Sequence, residues 1–523
     1  MSNNDSLGRI KQTRKRRHRQ DTMTLVIVIV VCVLVIALLV VGILFLAGVL
    51  PLNGNNETSP SPSESVITTE PSSERTTEKS SEEAFDQIVM DAMDEAAKYA
   101  KMYDYDKATE VLMAIPNYTE YPGITGKLNE YQIEKNSLVR WPDNTKITHI
   151  FFHSLIVDPK LAFNSNKKDD YNQNMATITE FNRIMETMYE NGYVLVSLHD
   201  IAENKLQEDG SYKMVMKSIY LPEGKKPFVL SQDDLCYYEY MKGHGFASRL
   251  VIAEDGSVDT EMDMADGTSV VGDYDMVPLV DSFVEKHPDF SYHGAKGCVA
   301  LTGYNGVFGY RTSAYSYTND NENGAPAEGY INYNLEKDRE TAAAVAQRLR
   351  DTGWEIASHS WGHLDLSRID AATTFVYDAN RWESEVESVV GPTDIMIFPF
   401  GSDIGSWRGY LLKDEAGNPV ANDKFEYLKQ LGFNYFCNVD SSQYWVQIND
   451  RYFRMGRRNI DGQRLYEAIV ATDRLSDLFD SKEIIDAERP LPVKGVTPTE
   501  PVAESTAPAA SQSTDATAPS ESQ

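Results

Sequence analysis

The stretch at residues 354–363 reads Trp-Glu-Ile-Ala-Ser-His-Ser-Trp-Gly-His. It is predicted to be a short apolar strand that leads into two histidines, His359 and His363. Histidines four residues apart can face the same point, which suits imidazole ligation of a divalent metal. Gly362 between them is expected to let the chain turn tightly. Pairs with this spacing are also common among core and surface histidines, so a metal site needs support from elsewhere in the chain.

Two further predicted strands end in residue types that are typical of active sites. Residues 227–231 lead to the adjacent carboxylates Asp233 and Asp234, which could divide the roles of metal ligand and base. A helix cap followed by a solvated turn would give the same residues. Residues 395–398 lead to a Pro-Phe-Gly turn, which could line a pocket or simply end the strand.

Apolar β-rich runs alternate with longer amphipathic stretches throughout the main part of the chain. The predicted strands are 147–152, 193–198, 227–231, 298–301, 354–357, 395–398 and 433–438, and the predicted helices are 176–189, 276–286, 338–351, 372–390 and 423–431. This alternation predicts βα units and a mostly parallel sheet. About seven such units suit an α/β barrel, in which chemistry takes place at the C-terminal ends of the strands.

Three of the residues at these strand ends could form a metal site. Asp234, His359 and His363 supply three protein ligands and leave a fourth position for water, as in catalytic zinc sites. The remaining carboxylate, Asp233, could then take a proton from that water. Zinc is the expected metal, although cobalt, manganese or nickel would fit the same ligands.

The three segments, in this order, resemble the polysaccharide deacetylase family of NodB-like carbohydrate esterases. The motifs that carry the resemblance are Ser231-Gln232-Asp233-Asp234-Leu235, His359-Ser360-Trp361-Gly362-His363 and Pro399-Phe400-Gly401. The resemblance implies a distorted (β/α)7-type barrel that removes N- or O-acetyl groups from sugar polymers. By position, Asp233 would be the catalytic base, and Asp234, His359 and His363 would hold the metal.

Several positions depart from the family pattern. Gln232 replaces an aromatic residue, Leu235 replaces a glycine, and Ile397 stands where an arginine would orient the base. The family's late histidine motif is absent, because no histidine follows His363. Some relatives carry a histidine at the end of the first strand, and His153 resembles it. His153 is therefore the candidate general acid, with a structural histidine as the alternative.

Aromatic residues provide candidates for sugar binding. Pro399, Phe400 and Gly401 could line the substrate pocket, and Trp445, in a loop after a late strand, could form its floor. The Gly- and Tyr-rich stretch 302–311 also suits stacking on sugar rings. Packing in the core or in a surface loop would explain Trp445 and this stretch equally well.

The N-terminal part of the chain has the composition of a membrane anchor. Seven Lys or Arg precede an apolar run that is long enough to span a bilayer and too long for a signal peptide. The basic residues predict a cytoplasmic N-terminus and an extracytoplasmic remainder. The predicted organisation is a basic tail at 1–22, a transmembrane helix at 23–50, a disordered Ser/Thr/Pro linker at 51–82, a helical hairpin at 83–136, the deacetylase domain at 137–487 and a disordered tail at 488–523.

Charge and cysteine content exclude some classes of protein. The chain has 79 acidic and 49 basic residues, a formal net charge of −30, which repels nucleic-acid phosphates and excludes a nucleic-acid partner. Four cysteines without a Cys-x-x-Cys spacing exclude a disulfide framework, so free buried thiols are expected.

The sequence thus predicts a membrane-anchored, metal-dependent hydrolase that removes acetyl groups from a cell-envelope polysaccharide. The anchor would place it beside the cell wall, which makes peptidoglycan the first candidate substrate and poly-N-acetylglucosamine the second. Acetyl esters, as in acetylated xylan, would undergo the same chemistry. The departures from the family motifs leave an alternative, which is a catalytically inactive carbohydrate-binding or envelope scaffold protein on the same barrel.

Overall fold

The computed structural model describes residues 74–264, 266–313, 334–414 and 416–499. Within these segments, no helix is both long and apolar enough to cross a bilayer. The predicted basic tail and transmembrane helix lie outside the described residues, as does the chain from residue 500 onward. The described residues from 80 onward belong to one compact unit.

Seven parallel strands close into a barrel, which confirms the predicted (β/α)7-type barrel. They are β1 (Thr148–Phe152), β2 (Lys226–Gln232), β3 (Gly297–Leu301), β4 (Trp354–Ser358), β5 (Ile395–Ile397), β6 (Tyr435–Val439) and β7 (Tyr452–Asn459). Each strand pairs with the next in chain order, and β7 closes the barrel by pairing with β1. Because all seven run in parallel, the residues that follow them meet at one end of the barrel.

One of the predicted strands is not a full barrel strand. Tyr193–Leu195 pairs with the first half of β2, and β3 pairs with its second half. The seventh barrel strand is instead β7, which the sequence prediction missed. Seven of its eight residues are buried, but its three arginines hide the apolar pattern that identifies a buried strand.

Helices flank the barrel strands along the chain. The longer ones are α1 (Glu74–Lys101), α2 (Tyr105–Met113), α3 (Pro122–Ser137), α4 (Ile178–Glu190), α5 (Met276–Lys286), α6 (Leu335–Asp351), α7 (Thr374–Arg381), α8 (Asp423–Leu431) and α9 (Gly462–Val470). The predicted helices 276–286 and 423–431 have the observed bounds. The predicted helix 372–390 is divided, because a π-helical turn at Trp382–Glu387 follows α7.

Short strands form small sheets outside the barrel. Three of these sheets have two strands, which are Val139–Arg140 with Tyr220–Leu221, Ala202–Leu206 with Tyr212–Met216, and Leu412–Lys413 with Pro419–Val420. A fourth sheet has three strands, Arg249–Ile252, Val258–Asp263 and Ser269–Gly272. The strand Val446–Asn449 pairs with β7. The three-stranded sheet lies in the insertion between β2 and β3.

The region predicted as a helical hairpin consists of three helices, α1 to α3. Helix α1 begins at Glu74, inside the predicted linker. Its C-terminal end contacts the segment before β3, where Tyr103 donates a hydrogen bond to the carbonyl oxygen of Asp289 at 2.7 Å and His293 N donates to Met102 O at 2.9 Å. These contacts place the helices at the end of the barrel where the strands begin.

The folded chain continues beyond residue 487, into the predicted tail. The side chains of Arg489 and Glu180 are fully buried and form an ion pair, and the Arg489 guanidinium also donates to Asn172 O at 2.8 Å. Glu180 forms a capping box with Thr177 at the start of α4. These contacts therefore hold the segment around Arg489 against the start of α4.

Away from the ends of the strands, the barrel interior is mainly apolar. Val229, Cys298, Ala357, Ile397 and Met455 contribute to one buried cluster, which also includes Cys437. Cys236, Cys298 and Cys437 are free and buried, as the sequence analysis predicts. Polar side chains enter the barrel toward the ends of β2 and β7, and there the candidate site begins.

Candidate active site

The predicted metal ligands meet at the end of the barrel where the strands finish. Asp234 follows β2, and His359 and His363 follow β4. One ligand atom from each residue lies within 4.8 Å of the others. Among the residues that the structure describes, this is the only group of three or more such side chains that could hold a metal.

A buried carboxylate holds the turn between the two histidines. Asp378, from α7, accepts hydrogen bonds from Trp361 N at 3.0 Å and Gly362 N at 2.7 Å. The left-handed backbone conformations lie at Ser360 and His363, with φ of 58° and 51°, and not at Gly362 as expected. The glycine instead permits close approach to Asp378, because a Cβ there would lie 3.1 Å from the carboxylate.

His359 presents one defined nitrogen to the site. Its Nδ1 lies 2.8 Å from the carbonyl oxygen of Ile397, which fixes Nδ1 as the protonated nitrogen of a neutral ring and leaves Nε2 free. Burial lowers the pKa of His359 and outweighs the opposing charges of Asp233 and Asp234. A neutral imidazole with a free Nε2 is the form that binds metal.

Asp234 offers one oxygen to the site and uses the other in a hydrogen bond. Its Oδ1 accepts from the hydroxyl of Tyr238 at 2.7 Å, and its Oδ2 lies 3.7 Å from Nε2 of His363. Burial would raise the pKa of Asp234, but the nearby histidines, above all His363, hold it below its usual value. Asp234 is therefore a carboxylate.

These residues fit a divalent metal. Ligands at about 2.1 Å from a tetrahedral zinc lie about 3.4 Å apart, and the distance of 3.7 Å between Asp234 and His363 is close to this. The side chains of His363 and Asp234 are 23% and 16% exposed, whereas that of His359 is 2% exposed. Solvent thus reaches the group from one side, as an open ligand position requires.

Asp233, the predicted base, is held by an arginine that the sequence analysis did not identify. The guanidinium of Arg457, on β7, donates to the two carboxylate oxygens at 2.6 and 2.9 Å. Burial would raise the pKa of Asp233, but Arg457 holds it well below its usual range. Oδ2 of Asp233 is 3.9 Å from Nε2 of His359, so the predicted base lies beside the candidate metal ligands.

Arg457 makes the contact to Asp233 that the family motif would assign to an arginine at the position of Ile397. Its side chain is fully buried and packs over the ring of Phe151 at 4.2 Å. It also donates to Ser231, whose hydroxyl lies 2.9 Å from Nε2 of His149. The sequence signal that could have identified Arg457 is an arginine inside a buried strand, because a buried charge needs a buried partner.

His153, the candidate general acid, lies at the same end of the barrel. It follows β1, is half-buried, and its ring meets that of Phe151 edge-on at 5.8 Å. The pKa values of Asp233 and Asp234 are lowered despite burial, and the charge of His153 is among the causes for both. His153 is thus within electrostatic reach of both aspartates.

The Pro399-Phe400-Gly401 turn forms one edge of the site. Phe400 has a φ of 57° and is 66% exposed, and its ring meets that of His363 at 4.5 Å. Pro399 is buried and begins the turn, two residues after β5 ends. Gly401 contacts β6 so closely that a Cβ would lie 2.4 Å from the Cβ of Val439. The turn therefore presents an exposed ring beside His363, a candidate metal ligand.

Trp445 lies beside a second arginine of β7. Its ring is 4.8 Å from the guanidinium of Arg454, which forms an ion pair with Asp403 at 2.7 Å. Trp445 O also accepts from Gly456 N at 2.8 Å. These contacts tie Trp445 to the β6–β7 side of the barrel, and its part in substrate binding stays a prediction.

Comparison with known proteins gives one family. Residues 296–414 match the model of the polysaccharide deacetylase family. This segment contains the second and third motifs, whereas the first motif and β7 lie outside it. No curated protein matches the chain.

Several solved structures are similar to the chain at a low level. The deacetylase PplD of Streptococcus pyogenes, solved in complex with acetate, is 10% identical, with 65% of this chain and 98% of that chain covered and a TM-score of 0.30. BC0361, a polysaccharide deacetylase from Bacillus cereus, is 11% identical, with 65% of this chain and 69% of that chain covered and a TM-score of 0.30. The deacetylase domain of BpsB from Bordetella bronchiseptica is 11% identical, with 61% of this chain and 98% of that chain covered and a TM-score of 0.30. TM-scores this low assign neither fold nor substrate.

Proposed function

We propose that this chain, whose residues 296–414 match the polysaccharide deacetylase domain, hydrolyses acetyl groups on a polysaccharide with a divalent metal. The observation that carries the proposal is the pairing of Asp233 with Arg457 beside Asp234, His359 and His363. A carboxylate that is kept ionised next to a set of metal ligands is suited to activate water as a general base.

The residues of the site have separate roles in this reaction. Asp234, His359 and His363 would hold the metal, with zinc as the first choice. Such an ion would lower the pKa of a water molecule and polarise the acetyl carbonyl. Asp233 would accept a proton from the attacking water, and His153 would donate a proton to the amine that leaves when the carbon–nitrogen bond breaks.

The proposed substrate is an N-acetylhexosamine polymer of the cell envelope. The exposed ring of Phe400 beside His363 supports a sugar ring at the site, because aromatic faces pack well on apolar surfaces that carry a polar rim. The predicted anchor at 23–50 and the Ser/Thr/Pro-rich segment between it and α1 support a location outside the cytoplasmic membrane. Peptidoglycan is then the first candidate and poly-N-acetylglucosamine the second.

A catalytically inactive carbohydrate-binding or scaffold protein is the second candidate. The departures at Leu235 and Ile397 favour it. Arg457 counts against it, because this residue supplies the missing contact to the base from another strand. A buried charge pair gives little net stability over apolar residues, so its presence in the site is better explained by a chemical role.

Acetate release tests the proposal. The chain would be stripped with a chelator, reloaded with zinc, and incubated with peptidoglycan, N-acetylglucosamine oligomers or acetylated xylan. His363→Ala should abolish release, whereas His293→Ala, at the opposite end of the barrel, should leave it unchanged. Zinc-dependent release from an N-acetylated polymer is expected. Release that survives both the chelator and His363→Ala would exclude the metal site, and no release from any polymer would favour the scaffold protein.

A further inference from the structure

A tyrosine that belongs to none of the family motifs contacts a metal ligand directly. Tyr238 lies four residues after Asp234 and is 7% exposed. Its hydroxyl donates to Oδ1 of Asp234 at 2.7 Å. The other carboxylate oxygen, Oδ2, is the one that faces His363. The hydroxyl therefore decides which oxygen of Asp234 is left for a metal.

The Tyr238 hydroxyl is itself held by the end of the neighbouring strand. It lies 3.0 Å from Oγ1 of Thr302, a fully buried residue that directly follows β3. The same Oγ1 is 3.0 Å from the sulfur of Cys236. A hydroxyl between a carboxylate and a buried threonine has a fixed position and a fixed direction of donation.

The ring of Tyr238 is clamped between two other tyrosines. Tyr240 stacks on it at 5.5 Å with an interplanar angle of 13°, and Tyr304 stacks on it at 5.4 Å with an angle of 23°. Backbone N of Tyr304 donates to Trp361 O at 3.0 Å, inside the turn that joins the two histidine ligands. The stack thus connects the loop of Asp234 to the loop of His359 and His363.

We propose that Tyr238 is a positioning residue for the metal, and that its hydroxyl holds Asp234 with Oδ2 directed at the ion. This inference rests on the proposed function, since it needs a metal at Asp234, His359 and His363. Hydrogen bonds to a ligating carboxylate fix its orientation, and their removal typically weakens metal affinity about 10- to 100-fold. Tyr238 acts through Asp234 and does not itself touch the reacting atoms.

The test compares two hydroxyl deletions in one stack, in the full chain. Tyr238→Phe keeps the clamped ring and removes the bond to Asp234, whereas Tyr240→Phe removes a hydroxyl from the next ring and leaves that bond in place. Zinc dissociation constants would be measured by competition with a chromophoric chelator. The unfolding midpoint of each metal-free variant would be measured in parallel, because a purely structural role would lower it.

We expect Tyr238→Phe to raise the zinc dissociation constant about 10- to 100-fold and Tyr240→Phe to change it less than about twofold, while both metal-free variants stay folded at the assay temperature. Thr302→Val should weaken zinc binding in the same direction and serves in place of Tyr238→Phe if that variant does not fold. Unchanged zinc affinity, or equal loss in both tyrosine variants, would overturn the inference. A wild type that binds no zinc would instead overturn the proposed function.

Discussion

The guanidinium of Arg457 holds the carboxylate of Asp233 through two hydrogen bonds of 2.6 and 2.9 Å, across a sequence separation of 224 residues. Both side chains are almost completely buried. We predict that Arg457→Gln lowers the turnover of acetate release about 10- to 100-fold, because the base loses its orientation and its ionised form is no longer favoured in a buried site.

Arg458→Gln is the matched control for this variant. Arg458 is the next residue of β7, is 3% exposed and pairs with Asp477 at 2.7 Å. Each substitution breaks a buried ion pair and should destabilise the fold by about 3–5 kcal/mol, so the assay temperature must lie below both unfolding midpoints. Equal turnover in the two variants would show that Arg457 acts only on stability.

Phe400→Ala should weaken the use of polymeric substrates. The exposed ring lies at 4.5 Å from that of His363, where it can cover a bound sugar. Loss of about 1.4 kcal/mol of stacking corresponds to a tenfold lower kcat/KM on N-acetylglucosamine oligomers. Hydrolysis of a small acetyl ester should change little. Tyr212→Ala, which removes a tyrosine of 60% exposure at the opposite end of the barrel, is the control.

Gly401→Ala should destabilise the protein more than an alanine at an open glycine. Gly401 has a φ of 67°, and a Cβ would lie 2.4 Å from the Cβ of Val439 and 2.8 Å from its backbone nitrogen. Gly210 has a φ of 80° with nothing within 4 Å, so Gly210→Ala measures backbone strain alone, about 1 kcal/mol. Chemical unfolding of both variants should show an additional loss of about 2 kcal/mol for Gly401→Ala. Equal losses would contradict the close contact with β6.

His199 should stabilise the fold in a pH-dependent manner. It bridges Glu355 at 2.5 Å and Asp394 at 3.0 Å. Burial opposes its charge, but the two carboxylates raise the pKa of His199 to about 10. Since the folded-state pKa exceeds the unfolded value of about 6.5, the stabilisation is complete below pH 6.5 and is lost as the pH rises toward 10.

Unfolding by urea at pH 6, 8 and 10 tests this prediction with His199→Gln. The side chain is 46% exposed, so the difference in free energy of unfolding from the wild type should be only about 1 kcal/mol at pH 6 and should decrease toward pH 10. A difference that grows with pH would contradict the assignment.

The sequence was sufficient to predict the barrel and the side chains of Asp234, His359 and His363 that meet at its end, because strand–helix alternation and short motifs at strand ends are local patterns. It was not sufficient for β7, whose arginines interrupt the apolar run, and therefore not for Arg457. The partners of that side chain come from the opposite end of the domain sequence, and only the closed barrel brings them together. Tyr238 escaped notice for a related reason, since its neighbour Asp234 is local but Thr302 and Tyr304 are not.

The role of Asp233 as the base of a metal-dependent deacetylase can be measured directly. Acetate release and bound zinc would be measured on the full chain, as wild type, Asp233→Asn and the exposed-site control Asp209→Asn. We predict that Asp233→Asn retains zinc but loses turnover about 10²- to 10⁴-fold, while Asp209→Asn matches the wild type. Undiminished turnover in Asp233→Asn, or a zinc-loaded wild type that releases no acetate from any polymer, would contradict the claim.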